Sequence, residues 1–178
     1  MKQWIVIMLL WPSLALSQVG DLLKTTAVTM LGAGTALLAH EGGHQIGAWA
    51  TDTSMSWHAP FDGTWHAEDK EEIAAIVLSG WALEGLGAEA LLASPLEKHN
   101  AFLQGYVNYY IIHMTQYTIR SAFTHGGYRD FHEFTHSERT LLSVGLGIHL
   151  ALVAYRSWRP DGLPTYLHAT FDGLEWRW

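Results

Sequence analysis

TALLAHEGGHQIG, running from Thr35 to Gly47, sets two histidines four residues apart around a glutamate, in a run with almost no other charge. On a helix of 3.6 residues per turn, His40 and His44 fall one turn apart on the same face. Both imidazoles can then reach one ion, with Glu41 beside them. Zinc hydrolysis uses that arrangement: two neutral nitrogen ligands, an open position for water, and a carboxylate to take the water's proton. The bland alternative is a pair of helical histidines around a solvated glutamate. Leu37, Leu38 and Ala39 before the motif and Ile46, Ala48 and Trp49 after it are uncharged, so a glutamate here needs something to pair with.

Working outward, residues 22–50 read as one helix carrying the motif in its C-terminal half, with Asp21 as its cap. Gly32, Gly34, Gly42, Gly43 and Gly47 weaken it as an isolated helix, but small residues are what close helix packing uses. Residues 51–67, with Trp57, Pro60, Asp62-Gly63 and Trp65, read as a loop or short hairpin, aromatic enough to lie over a site. Acidic residues from Glu68 to Glu72 suit the positive end of a second helix, Ile73–Ala93, which Ser94-Pro95 ends. That helix holds only two charges, Glu84 and Glu89. A third run, Ala101–Ile119, is uncharged but rich in Tyr, Asn and Gln, and contains His113. It suits a helix with polar side chains facing inward, closed by Arg120. After a polar, His-rich segment, Thr140–Tyr155 is a fourth apolar run, containing His149. The tail from Ser157 is irregular apart from an alternating piece, Leu167–Phe171, that suits an edge strand or an interface.

The fold expected is therefore mostly α: a bundle of about four charge-poor helices, membrane-embedded, with an irregular C-terminal tail. Trp49, Trp57, Trp65 and Trp158 flank the runs like an interfacial aromatic belt, although the mean hydropathy of +0.07 is low for a polytopic protein. The 178 residues suffice for one domain, 18–178. Residues 1–17 read as a signal peptide, or a retained anchor. Lys2 precedes the apolar Trp4–Trp11, Pro12 breaks the run, and Ala15-Leu-Ser17 offers a small-x-small cleavage site before Gln18. The expected location is the cell envelope. A net charge of −7 with only ten scattered Lys and Arg argues against a nucleic-acid partner. With no cysteine, any metal must be held by His, Asp and Glu.

A catalytic zinc needs a third protein ligand. The second helix contains Trp81-Ala-Leu-Glu84-Gly85-Leu-Gly-Ala-Glu89, and this window together with His40-Glu41-x-x-His44 resembles the gluzincin group of zincin metallopeptidases. In that group a downstream helix brings a ligand glutamate, often followed by glycine. The resemblance covers two short windows. It implies His40, His44 and Glu84 as zinc ligands, Glu41 as general base toward a metal-activated water, and a protein or peptide as substrate. Glu89 then has the lesser role of orienting a histidine. The metzincin pattern fails at Ala50, where a third histidine would fall. In the membrane-embedded site-2 proteases the third ligand is an aspartate of an Asp-Gly pair, which makes Asp172 a second choice here.

A competing class comes from the repeat of the motif at His132-Glu133-Phe-Thr-His136. Paired Glu-x-x-His units, with Glu84 or Glu89, are similar to those of di-iron carboxylate bundles. A His-box membrane oxidoreductase using His113, His125, His132, His136 and His149 is a variant, and two irons would replace zinc. The charged neighbours Arg129, Asp130, Glu138 and Arg139 make this second motif read as a solvated helix start. A non-enzymatic membrane subunit is the third reading. His58, His66, His99 and His168 lie in polar segments and read as surface groups. His113 and His149 lie in apolar runs, where an imidazole needs a partner, and neither is assigned a role.

Overall fold

Small residues at four-residue intervals decide how the helices meet. The computed structural model describes residues 2–59, 62–67, 69–123, 133–158, 168–170 and 173–175. On α1, Lys2–Ala50, the buried positions among the described side chains are Gly32, Ala36, His40, Gly43, His44, Gly47 and Ala48, a single stripe along one face. A methyl group added at Gly43 would strike the backbone of Ser79 and Gly80, and one at Gly47 would lie 2.7 Å from the Cα of Ile76. These contacts seat α1 against α2, Lys70–Ala93. Further along the stripe Gly32 meets the backbone of α3, Ala101–Phe123, at Phe102 and Tyr106, and Gly105 of α3 meets Thr29.

The fourth helix, α4, His136–Trp158, packs on α3 and touches α2 only sparsely along its middle. Two ion pairs tie α2 to α4: Lys70 to Glu138 at 2.7 Å near their starts, and Glu89 to Arg156 near their ends. The two helices thus run in the same direction. Between the ties lies a cleft of about 690 Å³ lined by Leu78, Ala82, Leu86, Leu141, Leu146 and His149.

The interior is built from Val77, Trp81, Tyr106, Val107, Tyr110, Met114 and Tyr117, together with the buried polar groups His40, His44, Glu84, Ser121 and Ser143. Leu22, Met30, Leu31, Leu38, Leu86, Leu141 and Ile148 face outward and are more than half exposed. Apolar side chains outside and polar ones inside suit a hydrocarbon surround. Among the described residues, three helices are long and apolar enough to cross a membrane: α1 over Val19–Ala50, α2 and α4.

The expected helices are all present; the ends at Ala50 and Ala93 and the start at Ala101 are as expected, and the other boundaries shift. α1 runs without interruption through Pro12, the Ala15–Ser17 stretch and Asp21, so Asp21 is not a cap. An exposed aspartate inside a helix is only mildly unfavourable, and the apolar run on either side carries the helix through it. α2 starts at Lys70 rather than Ile73 because Asp69 caps it, its side chain accepting from the Glu72 N–H at 2.9 Å. α3 continues past Arg120 to Phe123. α4 begins at His136, four residues before Thr140, and ends at Trp158.

The segment after α1 is a hairpin, β1 Met55–Ala59 antiparallel to β2 Asp62–Trp65, with a bulge between Trp57 and Ala59. The tail is not wholly irregular: β3 His168–Thr170 pairs antiparallel with β4 Gly173–Glu175. Asn100 caps α3, its Oδ1 accepting from the N–H groups of Phe102 and Leu103 at 3.0 and 3.2 Å. Asn100→Ala removes both bonds and is expected to lower stability by about 1 kcal/mol, read as a shift in thermal unfolding of the detergent-solubilised protein. An unchanged transition would show that water replaces the cap at no cost.

Candidate metal centre

The buried stripe of α1 carries His40 and His44 into the seam between α1, α2 and α3. Each is 2 % exposed, and Glu84, from the facing turn of α2, is completely buried. Nε2 of His40 and Nε2 of His44 are 3.0 Å apart. Oε2 of Glu84 lies 3.1 Å from Nδ1 of His40 and 3.1 Å from Nδ1 of His113, which α3 supplies. The helical spacing thus places both histidines of the first motif on one face, with Glu84 beside His40 and His113 and His44 meeting the group through His40.

One contact fixes a proton. Nδ1 of His44 lies 2.9 Å from the carbonyl oxygen of Ile76, which can only accept, so His44 carries its hydrogen on Nδ1 and keeps a lone pair on Nε2. That lone pair points at His40. Suppose His40 donates from Nε2 to His44. Its Nδ1 then faces the Glu84 carboxylate as a second acceptor. If instead it protonates Nδ1 toward Glu84, two Nε2 lone pairs face each other at 3.0 Å. A positive charge at this place, a proton or a metal ion, relieves either arrangement. A buried carboxylate among imidazoles calls for the same compensation. Among the described residues, the His40, Glu84 and His113 ligand atoms all lie within 4.8 Å of one another, a spacing that can hold an ion.

Aromatic rings wall the cluster. Trp65, at the end of β2, lies over His44 with ring centroids 5.3 Å apart, and Trp57 of β1 donates to Oε1 of Gln45 at 2.9 Å. The hairpin is therefore pinned to the helix that bears the motif, with Trp65 against His44. Tyr117 and Tyr109 stand 5.1 and 5.2 Å from His113. Gly80 supplies room for His44: a methyl group there would fall on the imidazole itself. Tyr106 donates its hydroxyl to the backbone carbonyl of Glu84 at 3.1 Å and holds that turn of α2 to α3.

Glu41 is half-buried on the same turn of α1 as His40. Glu89 belongs to a different cluster. It lies 3.3 Å from Nε2 of His149 and is paired with Arg156, while the Tyr110 hydroxyl donates to Nδ1 of His149 at 2.6 Å. Glu89, expected to orient a histidine of the metal site, stands with His149 and Arg156 and not with the histidines of the His40–Glu84–His113 cluster. Asp172, His125 and His132 lie outside the described residues.

The second motif lacks the helical spacing of the first, because α4 starts at His136. Thr135 precedes it in a capping box, in which the Thr135 N–H donates to Oε2 of Glu138 at 2.8 Å and the Glu138 N–H to Oγ1 of Thr135 at 3.4 Å. Glu133 and His136 are exposed, as are His66 and His99. The side chains of His58 and His168 are not among those described. His113 is the member of this cluster that sequence reasoning left without a role. Its signal was an imidazole inside an apolar run.

Fold and site together define a helical bundle with three potential membrane spans and a buried histidine–carboxylate cluster at its centre. Compared with known proteins, the chain matches no family model, no curated protein and no solved structure.

Proposed function

We propose that the protein is a zinc-dependent metallopeptidase of the cell envelope. The observation that carries this reading is the buried His40–His44 pair, its Nε2 atoms 3.0 Å apart and His44 held in the tautomer that keeps a lone pair on Nε2. The donors fit zinc, which takes imidazole nitrogen and carboxylate oxygen. His40 would hold the ion with Glu84 and His113, whose ligand atoms lie within 4.8 Å of one another, and His44 would join them through Nε2, 3.0 Å from His40. When bound, zinc supplies a Lewis acid that polarises the peptide carbonyl and acidifies water. Glu41 accepts a proton from the water whose oxygen attacks the carbonyl carbon. It returns that proton to the nitrogen as the C–N bond breaks. Trp65 and the rest of the hairpin limit the access of bulk water on the His44 side.

The test is metal analysis of the full-length protein purified in detergent, coupled to hydrolysis of an unstructured protein substrate. About one zinc per chain is expected, with hydrolysis lost on chelation and restored by zinc. Two irons would replace this reading with an oxidoreductase, and no metal at all would leave a non-enzymatic membrane subunit. Export has its own measurement. The N-terminus of the protein recovered from the envelope is expected at Gln18, and recovery of an N-terminus at Met1 would make the first segment a retained anchor.

A further inference from the structure

The cleft between α2 and α4 takes no part in the metal centre, yet one end of it is built from polar groups. The Tyr110 hydroxyl donates to Nδ1 of His149, so His149 carries its hydrogen on Nε2 and turns it toward Oε1 of Glu89 at 3.3 Å. Arg156 donates from Nη1 to the other carboxylate oxygen. Gly85 gives this group its room: a methyl there would come within 3.2 Å of His149 and 3.3 Å of the Tyr110 hydroxyl. Both oxygens of Glu89 are thus engaged inside the protein. Arg156 has donors to spare, since a guanidinium carries several N–H groups and Glu89 takes one of them. Its side chain is 37 % exposed, so those donors can meet an anionic oxygen from outside.

We propose that this cleft binds a phospholipid of the surrounding bilayer, with one acyl chain between α2 and α4 and the phosphodiester at Arg156. The proposal rests on α2 and α4 lying in a membrane, for which both are long and apolar enough, and not on the metal. Its first support is depth. At about 1.5 Å per residue, Leu78 to Glu89 covers about 17 Å of α2, close to one leaflet of a hydrocarbon core about 30 Å thick. Glu89 and Arg156 lie in the last turns of their helices, at headgroup level, and Trp158 at the same end is 63 % exposed, as an interfacial tryptophan is.

The second support is shape. Ion pairs bridge α2 and α4 at both ends of the cleft, and about 690 Å³ lies between them. A helix about 10 Å across would need about 1,300 Å³ over the same 17 Å or so, roughly twice that space. A hydrocarbon chain is thin enough to enter. The walls match it, because Leu78, Ala82, Leu86, Leu141 and Leu146 are apolar and Gly145 leaves a gap with nothing within 4 Å of an added methyl.

The test reconstitutes the full-length protein in phosphatidylethanolamine–phosphatidylglycerol vesicles, extracts it into mild detergent and weighs it by native mass spectrometry. A single phospholipid per chain is expected to survive extraction. Gly145→Leu fills the gap and is expected to abolish that retention while leaving helical circular dichroism unchanged. Arg156→Gln is expected to release the lipid about 10-fold more readily, the loss of one charge-assisted contact, and Arg156→Lys, which keeps the charge, less so. Equal retention in Gly145→Leu and wild type would overturn the proposal. So would a wild-type chain that keeps no phospholipid, or that keeps a fatty acid or a second copy of itself in its place. None of these readouts involves zinc, so the lipid site and the metallopeptidase reading can fail separately.

Discussion

Glu41→Gln is expected to keep its metal and to lose peptide hydrolysis by about 100- to 10,000-fold, the usual contribution of a positioned general base. Glutamine has nearly the shape of glutamate, so the half-buried position on α1 and the helix around it should be undisturbed. What the amide cannot do is accept a proton from water and hand it to the leaving nitrogen. The loss should therefore fall on kcat, with KM and the zinc content close to wild type. A Glu41→Gln protein that holds zinc and hydrolyses substrate at the wild-type rate would remove Glu41 from the chemistry.

Gly80→Ala should have the largest effect among single-methyl changes. The added Cβ would meet Nδ1 of His44 at 2.7 Å and Nε2 at 2.8 Å, so either the ring leaves the Ile76 carbonyl or α2 moves away from α1. α2 has little freedom to move, because Gly43 and Gly47 already place α1 against its backbone. The expected result is loss of stoichiometric zinc together with about 1–3 kcal/mol of stability, the usual cost of overpacking. Gly34→Ala is the control. Nothing lies within 4 Å of its added methyl, so metal binding should be unchanged and helix propensity should raise stability by up to about 1 kcal/mol. Equal metal affinity in the two variants would refute the steric argument.

The helices were legible because charge is so scarce in this chain that each apolar run stands out, and Ser94-Pro95 marks an end that the structure keeps. Their starts were less legible. Asp69, Asn100 and Thr135 act as caps through side-chain geometry, while Asp21, of equal capping propensity, lies inside a helix that continues through it. His40, His44 and Glu84 could be brought together on paper because one turn of helix and one isolated buried carboxylate are strong local signals. His113 could not, since its place depends on which face of α3 turns inward. That is decided by contacts such as Gly105 against Thr29, far from it in sequence. The repeated motif at 132–136 shows the limit of spacing alone: the pattern matches, yet α4 begins only at His136, and the charged neighbours were the signal of an exposed helix start.

The glycines of the α1–α2 seam also bear on how this chain can change over time. At Gly43 and Gly47 the separation of the two helices is set by main chain touching main chain, a hard stop that no rotamer can adjust. The outward residues Leu38, Leu86 and Leu141 touch no such stop and can be exchanged for other apolar side chains at little cost. Mutational drift is therefore free on the outer surface and confined at the seam to the smallest residues. A library randomised at both sets of positions should return varied hydrophobics outside and almost only glycine at positions 43 and 47.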